Sequence, residues 1–207
     1  MPPTETPELA CDAMAAFAAP SGSASFSRVW AMPSADTFSV RPIGDMVQRY
    51  LKAAKISCDP FARNKRWATY TNDLNPATAA EYHCDALAFL TMLKEKGVTA
   101  DLVLFDPPYS ATQIKEVYDN IGTRTYRAGE QNWVKERDLV YELISVGGVC
   151  LSFGWDTNGL GRNRKTEIIE ILLVAHGAAH NDTICMAERK LAHQAEFSFS
   201  LSEEVAG

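Results

Sequence analysis

Between about Phe38 and Lys190, short apolar runs alternate with stretches whose apolar residues recur at helical spacing. That pattern predicts an α/β protein with a mostly parallel sheet wrapped by helices. Gly44 to Ala54 has the helical spacing, Lys55 to Asp59 predicts a short strand, and Trp67 to Thr71 predicts a second. Ala77 to Tyr82 reads as helical, His83 and Cys84 as a minimal strand, and Ala86 to Lys96 as an amphipathic helix stopped by Gly97. The run Ala100 to Phe105 predicts another strand. Gln113 to Ile121 and Val134 to Ile144 predict helices, Val149 to Phe153 a strand, and Gly154 to Arg164 a glycine-rich loop. Glu170 to His176 and Thr183 to Glu188 predict two strands joined by a short loop, so the sheet is expected to end in an antiparallel hairpin.

The strand ends carry a regularity. Asp59, Asp73 and Asp85 each follow a predicted strand, and Asp106 follows the strand at Ala100 to Phe105. In an open α/β sheet, ligands bind beyond the carboxyl ends of the strands, so four carboxylates are expected along one edge. Turn geometry also favours Asp59 and Asp73, and Asp85 stands where a helix starting at Ala86 wants its N-cap. Asp106-Pro107-Pro108-Tyr109 is harder to explain as turn chemistry alone. Asp106 supplies an anionic acceptor, the two prolines fix φ while leaving their carbonyls free to accept, and Tyr109 offers an aromatic face. Together they suit a flat, amino-bearing ring.

Composition changes this picture little. At 207 residues, with 46% hydrophobic and 22% charged residues, the chain fits one globular domain. No apolar run approaches a spanning helix, and the acidic start (Glu5, Glu8, Asp12) does not fit a secretory signal. Residues 1–37 therefore read as a flexible leader, 38–190 as the globular domain and 191–207 as an acidic tail. The net charge of -6 is concentrated in those two ends, leaving the centre roughly neutral, which argues against strong non-specific DNA binding. The five cysteines form no C-x-x-C pair, so buried reduced thiols are expected, with neither a disulfide framework nor a metal site. A cytoplasmic location follows from that expectation.

With these motifs in view, the chain resembles the S-adenosylmethionine-dependent DNA amino-methyltransferases, most closely the short adenine-specific enzymes of phages and prophages. The resemblance spans roughly Phe38 to Lys190. It implies a Rossmann-like class I methyltransferase fold: a mostly parallel seven-stranded sheet with a C-terminal antiparallel hairpin and helices on both faces. It also implies S-adenosylmethionine as donor, no metal, and DNA as partner with the target adenine flipped out of the helix, in a bacterial or phage-infected cell. Asp106, Pro107, Pro108 and Tyr109 match the catalytic motif. Phe38, Pro42 and Ile43 match the segment around the donor's methionine portion, and Asp59, Pro60, Phe61, Ala62 and Asn64 match the first cofactor motif. Asp73 matches the acid for the ribose hydroxyls, and Asp85 the acid near the donor's adenine. Where the family usually has Gly-x-Gly, this chain has Ala62-Arg63-Asn64, and Asn64 is the residue expected to accept positive φ. Gly154-Trp155 and His176 to Asp182 resemble segments beside the target-base pocket.

Tyr109 and Trp155 are thus expected to hold the flipped ring. Arg124, Arg127 and Arg162, with Lys135, Arg137, Arg164 and Lys165, are candidates for phosphate contacts or plain surface charge. His83 and His176 are expected to be hydrogen-bonded structural residues. Competing functions are methylation of a base amine in RNA, methylation of protein glutamine, and a non-catalytic subunit that keeps the fold.

Overall fold

The computed structural model describes residues 23–108, 133–177 and 180–192. Seven strands form one sheet: β1 (Ser25–Trp30), β2 (Ser57–Asp59), β3 (Tyr70–Thr71), β4 (Ala100–Phe105), β5 (Ile144–Gly154), β6 (Thr166–Ala175) and β7 (Thr183–Lys190). Their spatial order is β1-β6-β7-β5-β4-β2-β3. All neighbours pair in parallel except those of β7, which runs antiparallel to both β5 and β6. This is the expected Rossmann-like sheet with its C-terminal antiparallel hairpin. The hairpin does not end the sheet, however. β7 is inserted between β5 and β6, and β1 lies outside β6.

Three α-helices lie among the described residues: α1 (Arg41–Ala53), α2 (Ala86–Glu95) and α3 (Val134–Leu143). In α1, Ile43, Met46, Val47 and Tyr50 recur at helical spacing and are buried. They join Leu102, Leu104, Val149, Leu151 and Val174 in the core on one face of the sheet. Phe89, Leu90 and Leu93 of α2, with Val140 and Leu143 of α3, cover Cys58, Val103, Phe105 and Cys150 on the other. From Leu102 to Phe105 the side chains of β4 therefore alternate between two dry cores, which explains why these four residues are all apolar. Each fully buried Leu, Ile or Phe there stabilises the fold by about 1.5–3 kcal/mol relative to exposure. Gly44 lets α1 approach the preceding turn, because a Cβ there would sit 2.7 Å from the Phe38 carbonyl oxygen.

Three local expectations are corrected. Ser25–Trp30 lies inside the presumed leader yet pairs along six residues with β6, so main-chain pairing orders a serine-rich segment that lacks a clear apolar pattern. Residues 1–22 of that leader, and all but 191 and 192 of the acidic tail, lie outside the described residues. Ala77 to Tyr82 is not helical. Its amides are drawn elsewhere, Ala77 N to Asn75 Oδ1, Ala79 N to Asn64 Oδ1, and Glu81 and Tyr82 N to the Thr71 carbonyl. The minimal strand falls at Tyr82, bridged to Asn72, and leaves His83 exposed. The predicted helix Gln113 to Ile121 lies outside the described residues.

Candidate active site

The crevice is located by topology. From β2 the chain moves outward to β3 and then returns to place β4 on the opposite side of β2. The switch point therefore falls between the carboxyl ends of β2 and β4, where open α/β sheets bind ligands. Asp59 is the last residue of β2, and Asp106 follows the last residue of β4. Asp106, Pro107 and Pro108 leave the sheet together, Pro107 buried and the other two partly so. Tyr109 lies outside the described residues.

Asp59 is 1% exposed. Its Oδ1 accepts the Phe61 N–H at 3.0 Å, while its Oδ2 is buried without a hydrogen-bond partner. Burial pushes its carboxyl well above the usual range, and the negative charges of Asp106 and Asp73 push the same way against the Phe61 amide. A buried acceptor left without a partner costs about 1–3 kcal/mol. Such a group in a cleft is a functional-site signal.

The other acids are more fully occupied. Asp73 takes the Arg63 N–H on Oδ2 at 3.0 Å and the Asn75 N–H on Oδ1 at 2.8 Å. Asp85 caps α2 by accepting the Leu87 N–H at 2.9 Å. Each oxygen keeps a second lone pair. Asn72, which the sequence did not single out, ties these segments together. Its amide donates to the carbonyls of Pro60 (3.2 Å) and Cys84 (2.9 Å), and its Oδ1 accepts the Cys84 N–H at 3.1 Å. Asn72 N also donates to the Asp59 carbonyl, and Ala62 N to that of Asn72.

In the turn after β2, the positive φ (50°) belongs to Arg63 rather than Asn64. Arg63 Nη1 donates to the Ala35 carbonyl, Lys65 pairs with Asp36 at 3.5 Å, and Trp67 stacks on Phe38 with centroids 6.0 Å apart. The Phe38 to Ile43 segment is thus brought against the Asp59 to Asn64 turn. Phe38 and Ile43 are themselves core residues, 6% and 0% exposed, and Pro42 lies in the first turn of α1. Phe61 packs edge-on against Phe105 at 5.6 Å and Trp133 at 5.4 Å, supporting the floor below Asp106.

Trp155 follows β5 and is 44% exposed. The register Phe105↔Ser152 brings it to the edge beside the proline turn. His176 joins strand ends, its Nδ1 on the Ala31 carbonyl (2.8 Å) and its Nε2 on Thr183 Oγ1 (2.9 Å). Arg162, Lys135 and Lys165 are exposed. Arg164 is not. It reaches the Leu160 and Val134 carbonyls and Asp138, with 12% of its side chain exposed, so it clamps the loop onto α3. Arg124 and Arg127 lie outside the described residues. Cys58, Cys150 and Cys185 are buried free thiols and Cys84 a half-buried one. No metal-holding group of His, Cys, Asp or Glu occurs among the described residues, and no helix there is long and apolar enough to cross a membrane.

No family model and no curated protein matches the chain. Among solved structures it is similar to a methyltransferase complexed with SAH, at 13% identity and TM-score 0.48, over 70% of this chain and 48% of that one. It is also similar to an Escherichia coli methyltransferase (14%, TM-score 0.46, 78% and 92% covered) and a SAM-dependent methyltransferase from Agrobacterium tumefaciens (11%, TM-score 0.46, 70% and 60% covered). The chain spans about half the length of the first of these.

Proposed function

We propose that this chain transfers a methyl group from S-adenosylmethionine to the exocyclic N6 amine of adenine in DNA. The observation that carries the reading is the meeting of Asp106, Pro107 and Pro108 with the orphaned carboxyl of Asp59 at the switch point of the sheet. A nucleobase amine is a poor nucleophile because its lone pair is conjugated with the ring. Asp106 would accept one of its N–H groups and the Pro107 carbonyl the other, favouring a more tetrahedral nitrogen with its lone pair turned toward the donor's methyl. This is positioning with electrostatic stabilisation, and it needs no covalent intermediate or metal. Tyr109 and Trp155 would flank the flipped ring.

The residues present fit a cationic donor. Asp73 and Asp85 carry carboxylates along the rim that attract a cation, and Asp59 adds a buried oxygen in want of a partner. Such attraction favours binding in the ground state and does not by itself raise the rate. The preference for adenine rests on aspartate as the first residue of the tetrapeptide, as in the enzymes the sequence resembles. The chain would act in the cytoplasm of a bacterial or phage-infected cell.

The test is incubation with labelled donor and unmethylated DNA, ribosomal RNA or protein, followed by digestion and identification of the modified residue. N6-methyladenine in DNA is expected, and Asp106→Ala should lower transfer by roughly 10²–10³-fold while donor affinity is kept. Methylated guanine in RNA with none in DNA would overturn the proposal. The turn after β2 favours a second reading, a non-catalytic subunit, because Arg63 stands with positive φ where close backbone approach would want glycine. Calorimetry separates the two: heat on adding donor supports the enzyme, and none at high protein concentration supports the subunit.

A further inference from the structure

β1 forms one edge of the sheet, with β6 as its paired neighbour. Its side chains divide by parity. Val29 packs against the core beside α1, so Phe26, Arg28 and Trp30 point to the opposite face. Phe26 is 66% exposed and Trp30 64%, and Met32 just beyond is 68% exposed. Such contiguous aromatic exposure is unusual for a face with nothing to bind. Arg28 is exposed between the two rings, and no ion pair among the described residues engages it. Ile171, Leu173 and Ala175 of β6 stand opposite Phe26, Arg28 and Trp30 and give them an apolar backing.

The alternation of ring, cation and ring matches one ligand chemistry. In an unpaired polynucleotide each phosphate lies between two bases, and Arg28 lies between two aromatic faces in the same way. Phe26 and Trp30 are four residues apart, about 13 Å along an extended strand, a span that splayed bases can follow. A second copy of this chain or a peptide added to the edge would use the main-chain groups of β1 and has no special need of the arginine.

The platform also leads toward the chemistry. Trp30 is the last residue of β1, and its indole Nε1 lies 3.8 Å from where a Cβ on Gly177 would be, at the edge that also carries Asp106. Between β1 and β4 lie β6, β7 and β5, so the separation is four strand spacings, about 19 Å. A nucleic-acid strand with its target base at Asp106 would reach β1 within a few nucleotides.

We propose that Phe26, Arg28 and Trp30 form a stacking platform for unpaired nucleotides flanking the target base. This rests on the nucleic-acid substrate proposed above. It also reconciles a net charge of -6 with such a substrate, because the contact is made by rings and one cation rather than by a broad basic face.

The experiment is fluorescence anisotropy of labelled single-stranded oligonucleotides of about 20 and about 4 nucleotides, in deoxy and ribo forms. The full chain is compared with Phe26→Ala, Arg28→Ala, Trp30→Ala and the aromatic double variant. Each aromatic truncation should weaken binding of the longer oligomer at least about 5-fold, and Trp30→Phe should restore most of the loss. Arg28→Ala should reduce the salt dependence by about one phosphate contact, a slope change near 0.7. Unchanged melting temperatures confirm that the exposed truncations leave the fold intact. Binding of the longer oligomer by the double variant as tightly as by the parent would overturn the platform. So would a parent that does not bind it, or a double variant that changes only the sedimentation coefficient, which would mark a contact between copies. A parent that binds through these rings but methylates nothing would sink the function proposed above and leave the platform standing.

Discussion

Two buried carboxylates sit on different strands of the sheet, and only one is finished. Glu188 on β7 is 5% exposed, with Oε2 accepting the Leu160 N–H at 2.7 Å and Oε1 the Thr166 hydroxyl at 3.0 Å. Arg137 and Arg164 add positive charge nearby. Asp59 on β2 is 1% exposed with one oxygen paired and the other orphaned. Burial raises the pKa of both groups, so neither burial nor the direction of the shift separates a clamp from a site. The unused oxygen, and its place at the end of β2 near Asp106, do separate them.

The largest effect should come from breaking the finished site. Glu188→Ala removes the acceptor that holds the Gly154 to Arg164 loop, and urea denaturation should show a loss of about 2–4 kcal/mol. Donor affinity, measured well below the melting temperature, should be unchanged. A variant that binds donor poorly while still fully folded would erase the distinction drawn above.

Asp59→Asn probes the unfinished site with the opposite sign. A carboxyl with a raised folded-state pKa keeps its proton in the folded chain while the unfolded chain ionises from about pH 4 upward. The parent therefore loses stability as pH rises from there toward the folded-state value, and the neutral asparagine does not. Thermal melts should show the variant ahead by at least about 3 °C at neutral pH and level with the parent near pH 4. Donor binding should weaken at the same time. A difference that does not vary with pH would mean the carboxyl is ionised in the folded chain. The smallest effect is expected for Asp85→Ala, about 1 kcal/mol from loss of the α2 cap, with donor affinity following only if the second lone pair is also used.

Much of the fold was legible because local signals agreed with tertiary ones. The apolar run before Asp106 is β4, Asp85 and Gly97 bound α2 as cap and stop with Gly97 at φ +70°, and the two runs around residues 177–182 form the hairpin. The placement of β7 between β5 and β6 was not legible, since a hairpin fixes pairing between its own strands and says nothing about the next neighbour. β1 was missed because alternating serines hid a strand that depends on pairing with β6, residues far away in sequence. The position of Asp59, Asp73 and Asp106 at or just after the ends of β2, β3 and β4 was legible. Which acids are already occupied was not, because Asp73 is satisfied by amides of Arg63 and Asn75 that only the turns bring near. Asn72 gave no sign for the same reason.

That asparagine has a mechanical consequence. One carboxamide hangs two loops from a single peg, the exit of β2 through Pro60 and the approach to α2 through Cys84. Neither loop can swing without dragging the other. Opening of this rim should therefore be collective, with the amide signals of Phe61, Ala62 and Cys84 broadening at one common exchange rate.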